Sequence, residues 1–197
     1  MERKPKKINE LNQQELNGES KPTDVKKEVF EWIKSLGFAV VAAVLITRYV
    51  FTFTVVDGES MFPTLHNKDR LIELKIDKYI RSYSYGDIVV IKDKVQTMNN
   101  YYVKRIIAMP GDTIKIYAGN VYLNGSLLQE PYIYSTEFGT QGDLEVTLKE
   151  DEYFVMGDNR KWGASRDSRI FGPVKKKSIG GRCVIIMYPL DRIGELK

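Results

Sequence analysis

Cysteine and histidine are almost absent from this sequence, whose 197 residues include only Cys183 and His66. A single cysteine excludes an internal disulfide bond and any zinc site built from several cysteines. A Ser–His–Asp triad needs a histidine as its base, so His66 is the single residue of this sequence that could serve one. We expect no bound metal and no cofactor, so any catalytic chemistry has to come from other side chains.

An excess of charge of one sign is also missing. The 30 lysine and arginine residues nearly balance the 26 acidic residues, and the two signs are interleaved along the chain. Nucleic-acid-binding proteins gather basic residues on one face, so we expect no nucleic acid among the partners. The 43% hydrophobic and 28% charged fractions are typical of a globular protein, and the length allows one folded domain plus appendages.

The most hydrophobic run of the chain is "SLGFAVVAAVLIT", residues 35–47, which carries no charge between Lys34 and Arg48. Its 13 residues are fewer than the roughly 20 that a spanning helix needs, so a buried core helix is one interpretation. A cleavable signal peptide would end in a small-residue cleavage site, whereas Arg48 and Tyr49 follow this run. The third interpretation is a membrane span that starts near Val29, with the flanking basic side chains reaching the interfaces.

We favour the membrane span, which divides the chain into three parts. Residues 1–28 form a polar tail without hydrophobic periodicity, which we expect to be disordered. Residues 29–48 form one transmembrane helix, and residues 49–197 form the folded domain. Because the lysine-rich flank precedes the span, we expect the tail in the cytoplasm and the domain outside the cell membrane, next to membrane lipid.

From residue 49 onward the sequence is typical of β-structure. The run "YVFTFTVV", residues 49–56, is rich in β-branched and aromatic residues, and further short runs of this kind follow. Turn signals separate the runs, such as Asn124-Gly125 for a tight hairpin and Pro110-Gly111-Asp112. The predicted fold class is therefore mainly β, an antiparallel sheet domain with one amino-terminal transmembrane helix.

Ser60 lies in "VVDGESMFPTL", a turn that follows a predicted strand, and it is a candidate nucleophile. The Gly-x-Ser-x-Gly pattern of a nucleophile elbow does not surround it. His66 lies six residues further on, but its polar surroundings are typical of an exposed turn rather than of a catalytic base. If Ser60 is a nucleophile, another group has to accept its proton.

A lysine can accept that proton if burial disfavours its charged form. In the predicted strand "YYVKRIIAM", Lys104 shares a face with Tyr102, Ile106 and Ala108, so its amine has apolar neighbours. Most strand lysines instead lie at solvent-exposed edges, and the strand alone does not decide between the two interpretations.

The third chemically rich segment is "MGDNRKWGASRDSRIFGP", residues 156–173, where acidic, basic and hydroxyl side chains follow an apolar strand. One interpretation is a surface turn with ion pairs of little energetic value. The other is a buried network of hydrogen bonds that shapes a site and holds the lysine amine.

The segments "DGESMFPTL", "YYVKRIIAMPGD" and "MGDNRKWGASRDSR" together resemble, in order and spacing, the boxes of the type I bacterial signal peptidases. These are membrane-anchored Ser–Lys proteases, and a short chain with one apolar segment resembles their Gram-positive form. The resemblance implies a β protease domain of the signal peptidase type. It also implies an enzyme that removes signal peptides from secreted preproteins after an Ala-x-Ala motif.

The resemblance also assigns roles to individual residues. It makes Ser60 the nucleophile and Lys104 the general base, with Ser165 as the hydroxyl that orients the lysine and Ser168 as the alternative. The supporting polar network would consist of Asp158, Arg160, Asp167 and Arg169, with Arg105 as a partner of Asp158. The small apolar pocket for the residue before the cut would consist of Val56, Met61, Leu65, Tyr102 and Val103.

Two features depart from the family pattern. Some members carry a serine two residues before the nucleophile, where its hydroxyl completes the oxyanion hole, but here that position is Gly58. The loop from Arg160 to Ser165 is also two residues longer than the short form of the family. A self-cleaving repressor-type Ser–Lys protease and a non-catalytic membrane-tethered β module are the competing hypotheses, and the sequence does not predict the oligomeric state.

Overall fold

The computed structural model describes residues 25–93, 100–134 and 139–196. The chain divides into two compact units, residues 1–44 and residues 45–197. Most of the predicted polar tail, residues 1–24, lies outside the described residues.

The helix α1, Val25–Leu45, continues as a π-helical turn over Ile46–Val50. Residues 25–44 of this segment belong to the first unit and residues 45–50 to the second. This segment of 26 residues is apolar enough to cross a membrane, and its side chains are not buried inside the protein. At 1.5 Å per residue it is about 39 Å long, which exceeds the roughly 30 Å of a bilayer core. The predicted span, residues 29–48, lies entirely within it.

The described helix includes residues 25–28, which precede the predicted span. At the other end, the predicted strand from residue 49 starts instead at Phe51, since Tyr49 and Val50 complete the π-helical turn.

The second unit is a β domain. Its strands are β1 Phe51–Val55, β2 Arg70–Leu74, β3 Ile88–Asp93, β4 Asn100–Ala108, β5 Thr113–Tyr117, β6 Asn120–Leu123, β7 Ser126–Leu127, β8 Leu144–Thr147, β9 Glu152–Met156, β10 Val174–Lys175, β11 Ile179–Tyr188 and β12 Gly194–Glu195. Within the described segments, the connections between strands include the single-turn helices α2 Asp77–Ile80 and α3 Ser168–Phe171 and the 3₁₀ turns Lys176–Ser178 and Leu190–Arg192. The predicted fold class, mainly antiparallel β with an amino-terminal apolar helix, is confirmed.

The larger sheet positions the candidate site. Its strand order is β1-β2-β11-β3-β4-β9-β10, with β12 added beside β11, and all of its pairings are antiparallel. Strand β1 lies at one end of this order. Strand β4 pairs with β3 over residues 88–93 but meets β9 only from Arg105 onward, so residues 100–104 have no partner on that side within the described residues.

The smaller sheet has the order β7-β6-β5-β8 and contains the predicted hairpin. Both turn residues have positive φ, 50° at Asn124 and 81° at Gly125, which is the geometry of a type I′ turn. Glycine adopts this conformation without a Cβ clash, and asparagine tolerates it, which explains why this dipeptide closes the hairpin.

Among the described residues, buried side chains of the β domain form three hydrophobic clusters, of which the first lies beside the Ser60 turn. It contains Val56, Met61, Leu65, Leu71, Ile88, Val90, Cys183 and Ile186. The alternation of β1 places its larger apolar residues away from this cluster, since Phe53 and Val55 are 61% and 54% exposed. The core is therefore built from the residues that follow β1 and from the other strands.

Candidate active site

Ser60 lies in a compact turn between β1 and β2. Two backbone hydrogen bonds close the loop, from the amide of Val56 to the carbonyl of Asp69 at 2.9 Å and from the amide of Lys68 to the carbonyl of Val56 at 2.8 Å. Inside the loop, Met61 and Leu65 are 1% and 0% exposed and pack into the first hydrophobic cluster. The side chains after Ser60 thus anchor the turn, and they fix the position of its hydroxyl.

Lys104 brings its amine to this hydroxyl from the middle of β4. The lysine is 2% exposed, and its strand neighbours Val89 and Ile106 are also buried. Its Nζ lies 2.7 Å from Ser60 Oγ and donates a hydrogen bond of 2.9 Å to the Val103 carbonyl. The serine and the lysine, which are 44 residues apart in the sequence, therefore form one hydrogen-bonded pair.

Burial lowers the pKa of the Lys104 amine to about 8 because the ammonium loses its hydration. The carboxylates of Asp167 and Asp158 act in the opposite direction, and the positive charge of Arg169 lowers the pKa further. With an ordinary pKa near 10.4, about one lysine in 2,500 would be neutral at pH 7, whereas a pKa of about 8 leaves roughly one in ten neutral. The site thus keeps a usable fraction of the amine in the form that accepts a proton.

Asp158 is held by Arg105, the neighbour of the lysine in β4. Its two carboxylate oxygens accept hydrogen bonds from Nε and Nη2 of Arg105 at 2.9 and 2.8 Å, and both residues are buried. Thr64 donates a further hydrogen bond to Asp158, and Arg105 donates to the Gly86 carbonyl. The ion pair thereby fastens β4 to the residues after β9.

Asp167 forms the second pair of this kind. It accepts hydrogen bonds from Nε and Nη2 of Arg169, each at 2.8 Å, and from Ser165 Oγ at 2.7 Å. It also accepts from the backbone amide of Gly157 at 3.2 Å. The hydrogen bonds and the charge of Arg169 together keep the pKa of Asp167 below its usual value, although burial alone would raise it.

Sequence comparison matches the chain that forms this site to a known family. The family described as "Signal peptidase, peptidase S26" matches residues 29–188. The chain belongs to this family. It is a serine protease and hence a hydrolase.

Curated relatives agree with this family. Signal peptidase I S of Bacillus subtilis (strain 168) is 40% identical over 85% of this chain and 94% of its own length. Signal peptidase I of Bacillus amyloliquefaciens is 38% identical over 92% of this chain and all of its own length. The crystal structure of a signal peptidase I from Enterococcus faecalis V583 is 32% identical and covers 52% of this chain and 97% of its own, with a TM-score of 0.44.

The two serines considered as partners of Lys104 have other hydrogen bonds in the signal peptidase domain. Ser165 Oγ donates its hydrogen bond to Asp167, whereas Lys104 Nζ is hydrogen-bonded to Ser60 Oγ and to the Val103 carbonyl. Ser168 Oγ accepts a hydrogen bond from the Val155 amide at 3.0 Å and so caps an amide of β9. A role of Ser165 in orienting the lysine stays a prediction.

Ser165 nevertheless lies close to the nucleophile, because Gly157 contacts both the Ser60 backbone and the Ser165 side chain. A Cβ at Gly157 would overlap both the Ser60 carbonyl and the Ser165 side chain, so only glycine fits between them. The amide of Asn159 donates to the Ser60 carbonyl at 3.1 Å, and its Nδ2 donates to the Glu59 carbonyl at 3.1 Å. These contacts hold the Ser60 turn against the loop that follows β9.

Arg160 has partners that sequence reasoning did not find. Its guanidinium pairs with Glu130 and donates to Thr140 Oγ1 and to the Gly157 carbonyl, each of these last two at 2.9 Å. Glu130 and Thr140 lie in loops without a recognisable motif, so the sequence offers no signal for them. Asn159, which contacts the Ser60 turn, lies inside the polar segment 156–173, so the sequence did offer a signal for this residue.

Four of the five residues predicted to form the substrate pocket belong to, or pack against, the first hydrophobic cluster beside the Ser60 turn. Val56, Met61 and Leu65 are buried, and Val103 packs partly buried against the same cluster, while Tyr102 is partly exposed. The Tyr102 ring stacks on Phe171, and its centroid lies 5.6 Å from Lys104 Nζ. That the five residues accept a substrate side chain stays a prediction.

The structure also places His66 and Gly58, the other two residues that the sequence analysis considered near Ser60. His66 stacks on Phe62 with ring centroids 5.3 Å apart and lies against Arg192, so it takes no part in the Ser60–Lys104 pair. Gly58 has φ 91° and donates its amide to Asn67 Oδ1 at 3.0 Å. Among the described residues, no group of three His, Cys, Asp or Glu side chains could hold a metal ion.

We expect Asp158→Asn to lower the free energy of unfolding by about 3–5 kcal/mol, because it leaves the buried Arg105 without its counter-charge. Asp57→Asn is the matched control, since Asp57 is 87% exposed in its pair with Lys68 and should contribute about 0–1 kcal/mol. Guanidinium unfolding of the full chain in detergent, followed by tryptophan fluorescence, measures both values. Equal losses for the two variants would contradict the structural role of the buried pair.

Proposed function

We propose that the protein removes signal peptides from secreted preproteins with a Ser60–Lys104 dyad. One observation carries the proposal: a buried lysine amine with a lowered pKa lies 2.7 Å from the hydroxyl of a serine held in a compact turn. With such a base, the reaction requires no histidine. No cofactor or metal enters the proposed reaction.

The first half of the reaction forms an acyl-enzyme. The lone pair of neutral Lys104 accepts the proton of Ser60, while the hydrogen bond to the Val103 carbonyl holds the amine in place. The Ser60 oxygen attacks the scissile carbonyl and forms the ester bond. Lys104, now protonated, gives its proton to the leaving amine, which departs as the new amino terminus of the mature protein.

The second half returns the enzyme to its starting state. Neutral Lys104 takes a proton from a water molecule, whose oxygen attacks the acyl carbonyl. The ester bond to Ser60 then breaks, Lys104 gives the proton to the departing Ser60 oxygen, and the signal peptide leaves with a free carboxylate. In both steps the Ser60 amide is the natural donor to the oxyanion, and loss of one such donor costs roughly 2.7–4 kcal/mol in other enzymes. The Gly58 amide is already bound to Asn67, so a second donor is not assigned.

An extended substrate fits between two strand edges. Strand β1 ends the larger sheet, and residues 100–104 of β4 have no strand partner on the side away from β3 within the described residues. A peptide that adds as a strand there would place its side chains alternately into the domain. The apolar residues Val56, Met61 and Val103 would then accept a small residue before the cut, as in an Ala-x-Ala motif.

The apolar helix gives the enzyme its place at the membrane. We infer a single span over residues 29–48, with the lysine-rich amino terminus in the cytoplasm and residues 49–197 on the outer side. Membrane lipid would surround the helix, whose side chains are exposed. This arrangement brings the protease to the side on which signal peptides of secreted preproteins emerge.

The two competing hypotheses fit less well. A self-cleaving repressor-type protease would carry a DNA-binding domain before its serine, whereas this chain carries an apolar helix there. A non-catalytic β module would have no need of a buried lysine, because burying an ammonium costs free energy that a neutral side chain avoids.

We expect Ser60→Ala and Lys104→Ala each to abolish cleavage of a preprotein whose signal peptide ends in Ala-x-Ala, because each removes one member of the dyad. The full-length protein in detergent is incubated with the preprotein, and the products are identified by mass. Lys115→Ala is the matched control, since Lys115 is a strand lysine paired with exposed Glu145 and should leave cleavage unchanged. Wild-type rates for Lys104→Ala would rule out the dyad.

The dependence of kcat/KM on pH should show a limb at about pH 8. Only neutral Lys104 accepts the proton, so kcat/KM rises about tenfold per unit below the pKa of about 8 and levels off above it. The measurement uses a peptide substrate that has no group titrating between about pH 6 and 10. A limb near 10.4 would mean that the base keeps an ordinary lysine pKa.

The membrane orientation is tested in protoplasts that carry the full chain with an amino-terminal epitope. Protease added outside should digest the domain and leave the epitope on a protected fragment of roughly 48 residues. The same treatment after lysis should destroy the epitope. Loss of the epitope in intact protoplasts would show the opposite orientation.

A further inference from the structure

The larger sheet carries a basic cleft of about 630 Å³, separate from the Ser60–Lys104 pair. All of its lining residues belong to the β-domain unit. Its charged lining consists of Arg48, Lys75, Lys78, Lys92, Lys177 and one carboxylate, Glu73. We refer to this feature as the basic cleft.

The charges of the basic cleft are unbalanced. None of its five cationic side chains forms an ion pair with the described residues, whereas surface lysines elsewhere do, such as Lys68 with Asp57 and Lys115 with Glu145. The carboxylate of Glu73 is buried, accepts a hydrogen bond from Thr54 at 2.9 Å, and has its pKa raised by burial. The cleft therefore has a strong excess of positive charge.

Strand register places the cleft in line with the nucleophile. Thr52 and Thr54 lie opposite Glu73 and Leu71 on β2, and they precede Val56 at the two-residue spacing of one strand face. Both threonines line the basic cleft. This face of the chain is therefore apolar at Val56, beside the Ser60 turn, and becomes the polar wall of the cleft at Thr54 and Thr52.

The opposite wall changes in the same way. On β3, Val90 belongs to the apolar cluster and also lines the cleft, and Lys92, two residues further, adds a cationic side chain to the lining. Val90 lies opposite Val103 on β4, and Lys92 lies opposite Tyr101. The two unpartnered edges proposed to hold the substrate, β1 and residues 100–104, therefore border the basic cleft as well.

We propose that the basic cleft is a charge-selective subsite for the substrate segment around four residues before the residue at the cut. The inference rests on the proposed function. If the residue before the cut lies at Val56 and Val103, an extended chain places alternate side chains roughly 7 Å apart along β1. The side chain two residues upstream then lies at Thr54, and the side chain four residues upstream lies between Thr52, Lys92 and Tyr101.

The chemistry of the cleft decides which side chains enter. Lysine and arginine meet several like charges there and are rejected, while glutamate and aspartate meet unpaired cations and are favoured. Neutral polar side chains rank between the two. The cleft thus selects against preproteins with basic residues close to the cut, and it leaves basic residues further upstream unaffected.

The test uses three peptides that differ only at the position four residues before the residue at the cut, which is Glu, Gln or Lys. With the full-length enzyme in uncharged detergent at low salt, we expect kcat/KM to fall in the order Glu, Gln, Lys, with about tenfold between the first and last. The difference should shrink at high salt, because solvent-exposed charges are screened. Equal values for the three peptides, with all of them cleaved, would overturn the proposal and leave the proposed function intact.

Charge reversal in the cleft supplies the second arm. The double variant Lys78→Glu/Lys92→Glu leaves three cationic side chains against three carboxylates in the lining, so the Glu-to-Lys ratio of kcat/KM should fall from about ten to about one. The control Lys115→Glu reverses a strand lysine outside the cleft and should keep the wild-type ratio. An unchanged ratio in the double variant would overturn the proposal.

Anionic lipid is the alternative occupant of a basic cleft. Vesicles of phosphatidylglycerol are therefore compared with vesicles of phosphatidylcholine for binding of the wild type and the double variant. Loss of phosphatidylglycerol binding in the double variant, with the order of the three peptides unchanged, would assign the cleft to lipid and overturn the peptide subsite. Failure to cleave any of the three peptides would count against the proposed function itself.

Discussion

The site depends on the burial of one lysine amine. Removing the ammonium of Lys104 from water disfavours its charge, and this single effect converts a residue that is almost always protonated into a base. The hydrogen bond to the Val103 carbonyl uses one N–H of the amine and leaves its lone pair for Ser60. The rest of the domain can be understood as the structure that keeps this amine dry and in place.

Two arginine–carboxylate pairs keep that arrangement intact. Asp158 and Asp167 lie near the amine, and as free carboxylates they would favour its protonated form. Arg105 and Arg169 hold them with two hydrogen bonds each, which satisfies their charges and fixes their positions. Such buried pairs contribute little net stability compared with apolar residues, but breaking one is costly, so they define one geometry.

In the proposed mechanism, two parts of one sheet face recognise different residues of the substrate. Beside Ser60 the face is apolar and packed, which suits a small residue before the cut. Towards the beginning of β1 it opens into the basic cleft, where Gly180 leaves room above the Glu73 carboxylate. A single extended peptide would meet shape selection first and charge selection a few residues upstream.

Local patterns in the chain were enough to establish the fold class, the hairpin at Asn124-Gly125 and the apolar helix, because these follow from periodicity and turn chemistry. Three recognisable segments also predicted Ser60 and Lys104. The packed domain was needed to establish that the lysine is buried against the serine, that Arg160 reaches Glu130 and Thr140, and that Ser165 turns to Asp167. Those contacts join distant segments, so they depend on how strands pack around each side chain, which no local pattern encodes.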